Sequence, residues 1–131
     1  MLFNSLRRNE RGAVAIEMAF ALPVLTTIMI GILQFALVLQ ASGAMRHGIG
    51  EGLRMAKVQT SASSGDIEAK VKASMAGVSL DRIEEIKVVR GTDAGADYGQ
   101  ISIKYKLEPL IPFAAIPPIE LNESKRIWLP S

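Results

Sequence analysis

The chain has 131 residues, no cysteine and a formal net charge of +2. That length allows one modest domain plus an anchor rather than two full cores, and the lack of cysteine excludes disulfides, thiolate metal sites and a cysteine nucleophile. Residues 1–57 hold six Lys/Arg and three Glu while residues 58–131 hold nine Lys/Arg and ten Asp/Glu, so the basic character belongs to the N-terminal half and no nucleic-acid surface is indicated.

A short basic tail with Arg7, Arg8 and Arg11 precedes an apolar run over residues 14–39, in which Glu17 and Gln34 are the only strongly polar side chains. As a helix the run is roughly 39 Å long, against a hydrocarbon core of roughly 30 Å. A secretory signal has a much shorter apolar region, typically about 7–15 residues. The nearest small-x-small cleavage site, Ser42-Gly43-Ala44, lies at the far end of the run. The run therefore reads as a membrane anchor. Both flanks carry a similar positive charge, and the closeness of Arg11 and the shortness of the tail favour a cytoplasmic N-terminus.

The junction Arg11-Gly12-Ala13-Val14-Ala15-Ile16-Glu17 places a carboxylate just inside the apolar run. A charged residue costs of order 2.5–3.5 kcal/mol at a bilayer centre and less near an interface. A plain anchor has no use for it, unless Glu17 snorkels to headgroups. A newly exposed α-amino group would supply a partner. If the chain is cut after Gly12, Ala13 carries a positive amine close to the membrane surface, where Glu17 of a neighbouring subunit can meet it. Further along, Pro23 predicts a local kink, and Thr27, Gly31 and Gln34 make a polar and small seam suited to helix contacts.

Beyond residue 39 the pattern stays helical. Ala44, Gly48, Gly52 and Ala56 recur every four residues as a small-residue stripe that lets another helix or the head domain approach closely. Arg46, Gly50, Arg54 and Lys57 form a basic stripe on the nearly opposite side, suited to anionic headgroups. Residues 59–65 read as a Ser/Thr-rich linker, after which Asp66 opens a second helix with Ile67, Val71, Met75 and Val78 on its apolar edge. Strands are expected at residues 86–90, at 101–107 by strict alternation, and at 119–129. Residues 91–97 read as a turn-rich connection, and the stretch with Pro109, Pro112, Pro117 and Pro118 as a long crossing loop. The expected fold class is α+β: a long transmembrane helix continuing into an amphipathic helix, then a small head of one helix and about three antiparallel strands. The domains are a basic leader (1–12), a membrane-spanning long helix (13–58), a linker (59–65) and a head (66–131).

No catalytic constellation, metal-ligand spacing or cofactor motif is present, and no enzyme is expected. His47 reads as a plain polar residue. Asp93 and Asp97 read as turn chemistry rather than a metal loop.

Glycine followed by glutamate at the fifth position after it resembles the class III signal of type IV pilins and pseudopilins. The wider stretch Glu10-Arg11-Gly12-Ala13-Val14-Ala15-Ile16-Glu17 with Ala21-Leu22-Pro23-Val24 resembles the TadE-like family of tight-adherence (Flp) pilus systems. So do Ala44-Met45-Arg46 to Gly52-Leu53-Arg54-Met55-Ala56, and the ending Ile101-Ser102-Ile103-Lys104-Tyr105 with Pro109-Leu110-Ile111-Pro112. Met18 stands where Flp-type signals commonly have an aromatic, and Ala13 where classical pilins have Phe. The resemblance implies a pseudopilin trimmed by an inner-membrane prepilin peptidase, with Gly12 before the cut, Ala13 the new N-terminus and Glu17 the fifth-position acid. Implied partners are membrane lipid, that peptidase, other pilins or pseudopilins and the pilus assembly platform, in a homo- or hetero-oligomer. The implied place is the bacterial inner membrane, with a periplasmic head. The alternative is an unprocessed single-span membrane protein whose head binds an envelope partner.

Overall fold

The computed structural model describes residues 10–111 and 115–130. The elements in chain order are α1 (Glu10–Val58), α2 (Ser64–Ser74), a 3-10 turn (Leu80–Arg82), β1 (Ile83–Asp93), β2 (Ala96–Leu107) and β3 (Ile119–Trp128). The chain divides into two compact units, Met1–Phe35 and Ala36–Ser131. The architecture is the α+β arrangement expected, with one long apolar helix, a second helix and three antiparallel strands.

In the first unit α1 continues through Pro23. The hydroxyls of Thr26 and Thr27 donate to the carbonyls of Leu22 and Pro23, each at 2.8 Å. Thr27 thus spends its donor within its own helix rather than across the predicted seam. Large apolar side chains from Val14 to Phe35 stand at the surface, Phe20 being 74% exposed. A helix that is apolar nearly all round and mostly exposed, with only Ile30 and Gln34 half-buried, is suited to lipid.

In the second unit the rest of α1 is part of the core. Ala41, Met45, Ile49 and Leu53 recur every four residues and are buried, with Ala56 completing the face. They meet Ile67, Val71 and Met75 of α2 and the inner row of β2, namely Ile101, Ile103, Tyr105 and Leu107. The head therefore does not begin after the linker, as the sequence suggested. Residues 36–58 supply a large share of its apolar surface, and without them α2 and the sheet would have little to pack on.

The linker is also shorter than expected. Ser63 caps α2: its hydroxyl accepts from the Asp66 amide at 3.1 Å, and its own amide donates to Asp66 Oδ2 at 3.0 Å. This reciprocal box satisfies two amides that a helix start would otherwise leave unpaired, so α2 starts at Ser64 and Asp66 is its third residue rather than its first. The Ser63 hydroxyl, which donates to Asp66 Oδ2 at 2.7 Å, and after it the Ser63 amide hold the Asp66 carboxyl below its ordinary range.

The sheet order is β1-β2-β3. β1 and β2 are longer than predicted and close on the two residues Ala94 and Gly95, both at positive φ (51° and 81°). A two-residue turn of this hand matches the twist of the strands it joins, and Gly95 adopts it at no steric cost. The turn-rich connection expected at residues 91–97 thus shrinks to its centre. The proline-rich stretch does not cross over anything, because β3 lies beside β2, with Leu107 paired to Ile119. It joins neighbouring strands. Pro112, Phe113 and Ala114 lie outside the described residues.

Candidate functional site

Gly12, Ala13 and Glu17 lie in the opening turns of α1, and all three are exposed. Gly12 and Ala13 are within the first four positions of the helix, whose N–H groups have no intrahelical acceptor. A Cβ built on Gly12 would meet nothing within 4 Å, so no described side chain crowds this position. Ala13 and Glu17 are spaced i,i+4, which puts them on one helix face about 6 Å apart along the axis. Among the described residues no hydrogen bond or ion pair reaches Glu17. The acid thus lies among exposed apolar neighbours (Ile16, Met18, Phe20), with no counter-charge among the described side chains.

The small-residue stripe is placed very differently. Gly48, Gly52 and Ala56 are buried, and Ala44 is half-buried. A Cβ on Gly48 would sit 2.7 Å from Met75 Cγ and 3.0 Å from the Val71 carbonyl oxygen. One on Gly52 would sit 2.5 Å from Val71 Cγ2 and 2.8 Å from Ile101 Cδ1. Hydrogen in place of a methyl is what lets α1 approach α2 and β2 this closely. The stripe is therefore filled by the head itself and has no room left for a helix of another subunit. Gly50, on the other side, faces open space.

The basic stripe is largely neutralised. Arg54 pairs with Glu51 at 3.0 Å, and Arg46 pairs with Glu123 of β3, also at 3.0 Å. Glu123 Oε1 additionally accepts from the Ser42 hydroxyl at 2.5 Å. This polar latch between α1 and the edge strand escaped the sequence reading. Its signal was present: in β3, Glu123 falls on the inward-facing row with Ile119, Leu121 and Ile127, and an acid on an apolar row needs a partner.

The Arg46 hydrogen bond above all holds the Glu123 carboxyl below its usual range; burial opposes it, and the Ser42 hydrogen bond adds a smaller lowering. A depressed folded-state pKa contributes stability that is complete above the unfolded value of about 4.3 and disappears as pH falls through the folded value. The thermal midpoint of the full chain in detergent, followed by Trp128 fluorescence, should therefore drop on acidification below about pH 4.3. Glu123→Gln should flatten part of that drop, leaving the share due to Asp66 and Glu51, which are lowered in the same way. An unchanged acid profile in Glu123→Gln would show that the latch contributes nothing.

On the outer face of the sheet, the Arg126 guanidinium lies 4.2 Å from the Tyr98 ring centre, and Trp128 meets that ring edge-on at 6.2 Å. Gln100, Ser102 and Ser124 continue this face as a hydrogen-bonded row. Among the described residues no group of His, Asp or Glu is arranged to hold a metal ion.

Comparison with known proteins adds one match. Residues 12–54 fit the family model described as TadE-like protein, from Gly12 of the junction to Arg54 at the end of the buried helical face. No curated protein and no solved structure matches the chain. With one long apolar helix near its N-terminus, the chain is a membrane-anchored single-pass protein.

Proposed function

We propose that this chain with a TadE-like segment is a pseudopilin-like component of a tight-adherence pilus assembly machine, with a structural rather than a catalytic part in it. It sits in the bacterial inner membrane, N-terminus in the cytoplasm and head in the periplasm. A prepilin peptidase removes residues 1–12, and the α-amine of Ala13 then pairs with Glu17 of a neighbouring pilin or pseudopilin. The family match over residues 12–54 supports the pilus assignment. The observation that carries the mechanism is Glu17 itself, an acid on an exposed apolar helix with no partner among the described residues of its own chain.

The physical logic is neutralisation. In lipid, an unpaired carboxylate and an unpaired ammonium are each poorly solvated, and bringing them together removes both penalties. Cleavage creates the ammonium, so it also licenses assembly. The lack of any described side chain crowding Gly12 favours access by the peptidase, and the burial of Gly48 and Gly52 inside the head leaves the surface of residues 13–35 as the helix available to neighbours.

Intact-mass measurement of the protein from its own cell, before and after external protease treatment of spheroplasts, tests processing and orientation together. The expected species begins at Ala13 and loses its head to the protease. A retained Met1 in a pilus-producing strain points instead to the unprocessed single-span alternative. A start at Met45 marks ordinary signal cleavage, and a protected head reverses the orientation.

A further inference from the structure

The loop between β2 and β3, with the first residue of β3, carries no polar side chain over residues 109–119, eleven in a row, bounded by Glu108 and Glu120. Its apolar groups are at the surface: Leu110, Ile111 and Ile116 are 46%, 37% and 41% exposed. Pro109, Pro117 and Pro118 have no N–H to lose from water, which lowers the cost of taking such a backbone into an apolar medium. A solvated loop is normally polar, so this one is built for something other than water.

Its place in the head says what that is. Down β2 the contacts with α1 run in reverse order: Leu53 lies beside Gly99, Gly52 beside Ile101, and Ser42 and Arg46 on Glu123, which is paired with Ile103. From Glu123 to Ile119 the strand advances about 13 Å, a distance α1 covers in about nine residues, so counted back from Arg46 the loop starts at about the level of Leu37. Leu37 and Val38 do pack on the rim of the core, as do Ile119 and Leu121. The apolar run of α1 ends at Leu39, with Gln40 next. The loop and the end of the membrane-crossing stretch are therefore at the same end of the head.

We infer that the described residues of this loop, 109–111 and 115–118, form a second membrane contact, inserting Leu110, Ile111 and Ile116 into the interfacial layer of the bilayer that α1 crosses. The loop holds no Lys or Arg, so insertion rests on apolar burial and needs no anionic lipid. The contact fixes the head against the membrane surface instead of leaving it to swing on a single helix. This rests on the single-pass anchor and is independent of the pilus assignment.

Because the chain has no cysteine, Ile116→Cys gives a unique site for an environment-sensitive fluorophore. Ala96→Cys, exposed at the opposite end of β2, is the control. The full-length chain is reconstituted at one copy per phosphatidylcholine nanodisc and challenged with doxyl-labelled lipid or aqueous iodide. The label at position 116 should be quenched several-fold more by the doxyl lipid than the label at 96, and shielded from iodide. Equal iodide access at the two positions overturns the inference. Shielding at 116 that appears only when several copies share one membrane also overturns it, by assigning the loop to contact with a second copy.

Discussion

Glu17→Leu is expected to reach the membrane, lose residues 1–12, and yet yield no pilus and no recoverable complex with other pilins. The substitution makes the anchor more apolar, so insertion has no reason to suffer. The proposed cut lies more than a helical turn upstream, in the first turn of α1, so processing should continue. What changes is assembly. With Glu17 gone, the Ala13 ammonium of a neighbouring subunit stays uncompensated at the edge of the hydrocarbon, and stranding one member of an ion pair costs about 3–5 kcal/mol where the pair is buried. Glu17→Gln keeps the shape and part of the hydrogen bonding but not the charge, and should fail at the same step. Pilus counts by microscopy, membrane fractionation and intact mass separate the three stages. If the acid merely snorkels to headgroups, both variants will be silent. Normal piliation with Glu17→Leu would remove the central residue of the proposed mechanism.

Gly52→Leu should destabilise the head by about 1–3 kcal/mol, the usual range for extra atoms forced into a packed core. Its first added carbon already falls 2.5 Å from Val71 Cγ2 and 2.8 Å from Ile101 Cδ1, both on fully buried side chains. Gly48→Leu should behave alike, because the Val71 carbonyl oxygen, 3.0 Å from the added Cβ, belongs to the backbone of α2 and has little freedom to move. Gly50→Leu is the control. Its Cβ enters open space, and replacing glycine within a helix gains up to about 1 kcal/mol in propensity, so that variant should be neutral or slightly more stable. Chemical unfolding of the full chain in detergent, followed by Trp128 fluorescence, reads all three. Equal midpoints for Gly50→Leu and Gly52→Leu would show that the stripe is not a packing face.

The consequence for assembly follows from where that stripe points. Small residues at four-residue spacing on a membrane-proximal helix suggest contacts between subunits. Here they are covered by α2 and β2 of the same chain. In the proposed assembly, contacts with neighbouring subunits fall to the exposed stretch of residues 13–35 with its single acid, so the two predictions address separable properties: Glu17→Leu should affect assembly in a stable head, and Gly52→Leu the head itself.

The anchor, the acid behind Gly12 and the strand over residues 101–107 follow from local pattern, because each is governed by a short-range rule. An apolar run longer than a bilayer has few other uses, and strict alternation leaves one face of a strand to bury. The role of residues 36–58 was decided by tertiary packing. Ala41, Met45, Ile49 and Leu53 continue a single apolar face past the end of the anchor's apolar run, and only the docking of α2 and β2 turns them from a spacer into core. The same holds for Glu123. Its position in β3 is local, but the reason it is tolerated there is Arg46 and Ser42, some eighty residues away in sequence. The loop over residues 109–119 shows the division most plainly. Its prolines and apolar side chains can be read directly, while the level of its described ends on α1 depends on the register of β2 on β3 and on the packing of residues 36–58 across them, and no local preference specifies such long-range contacts.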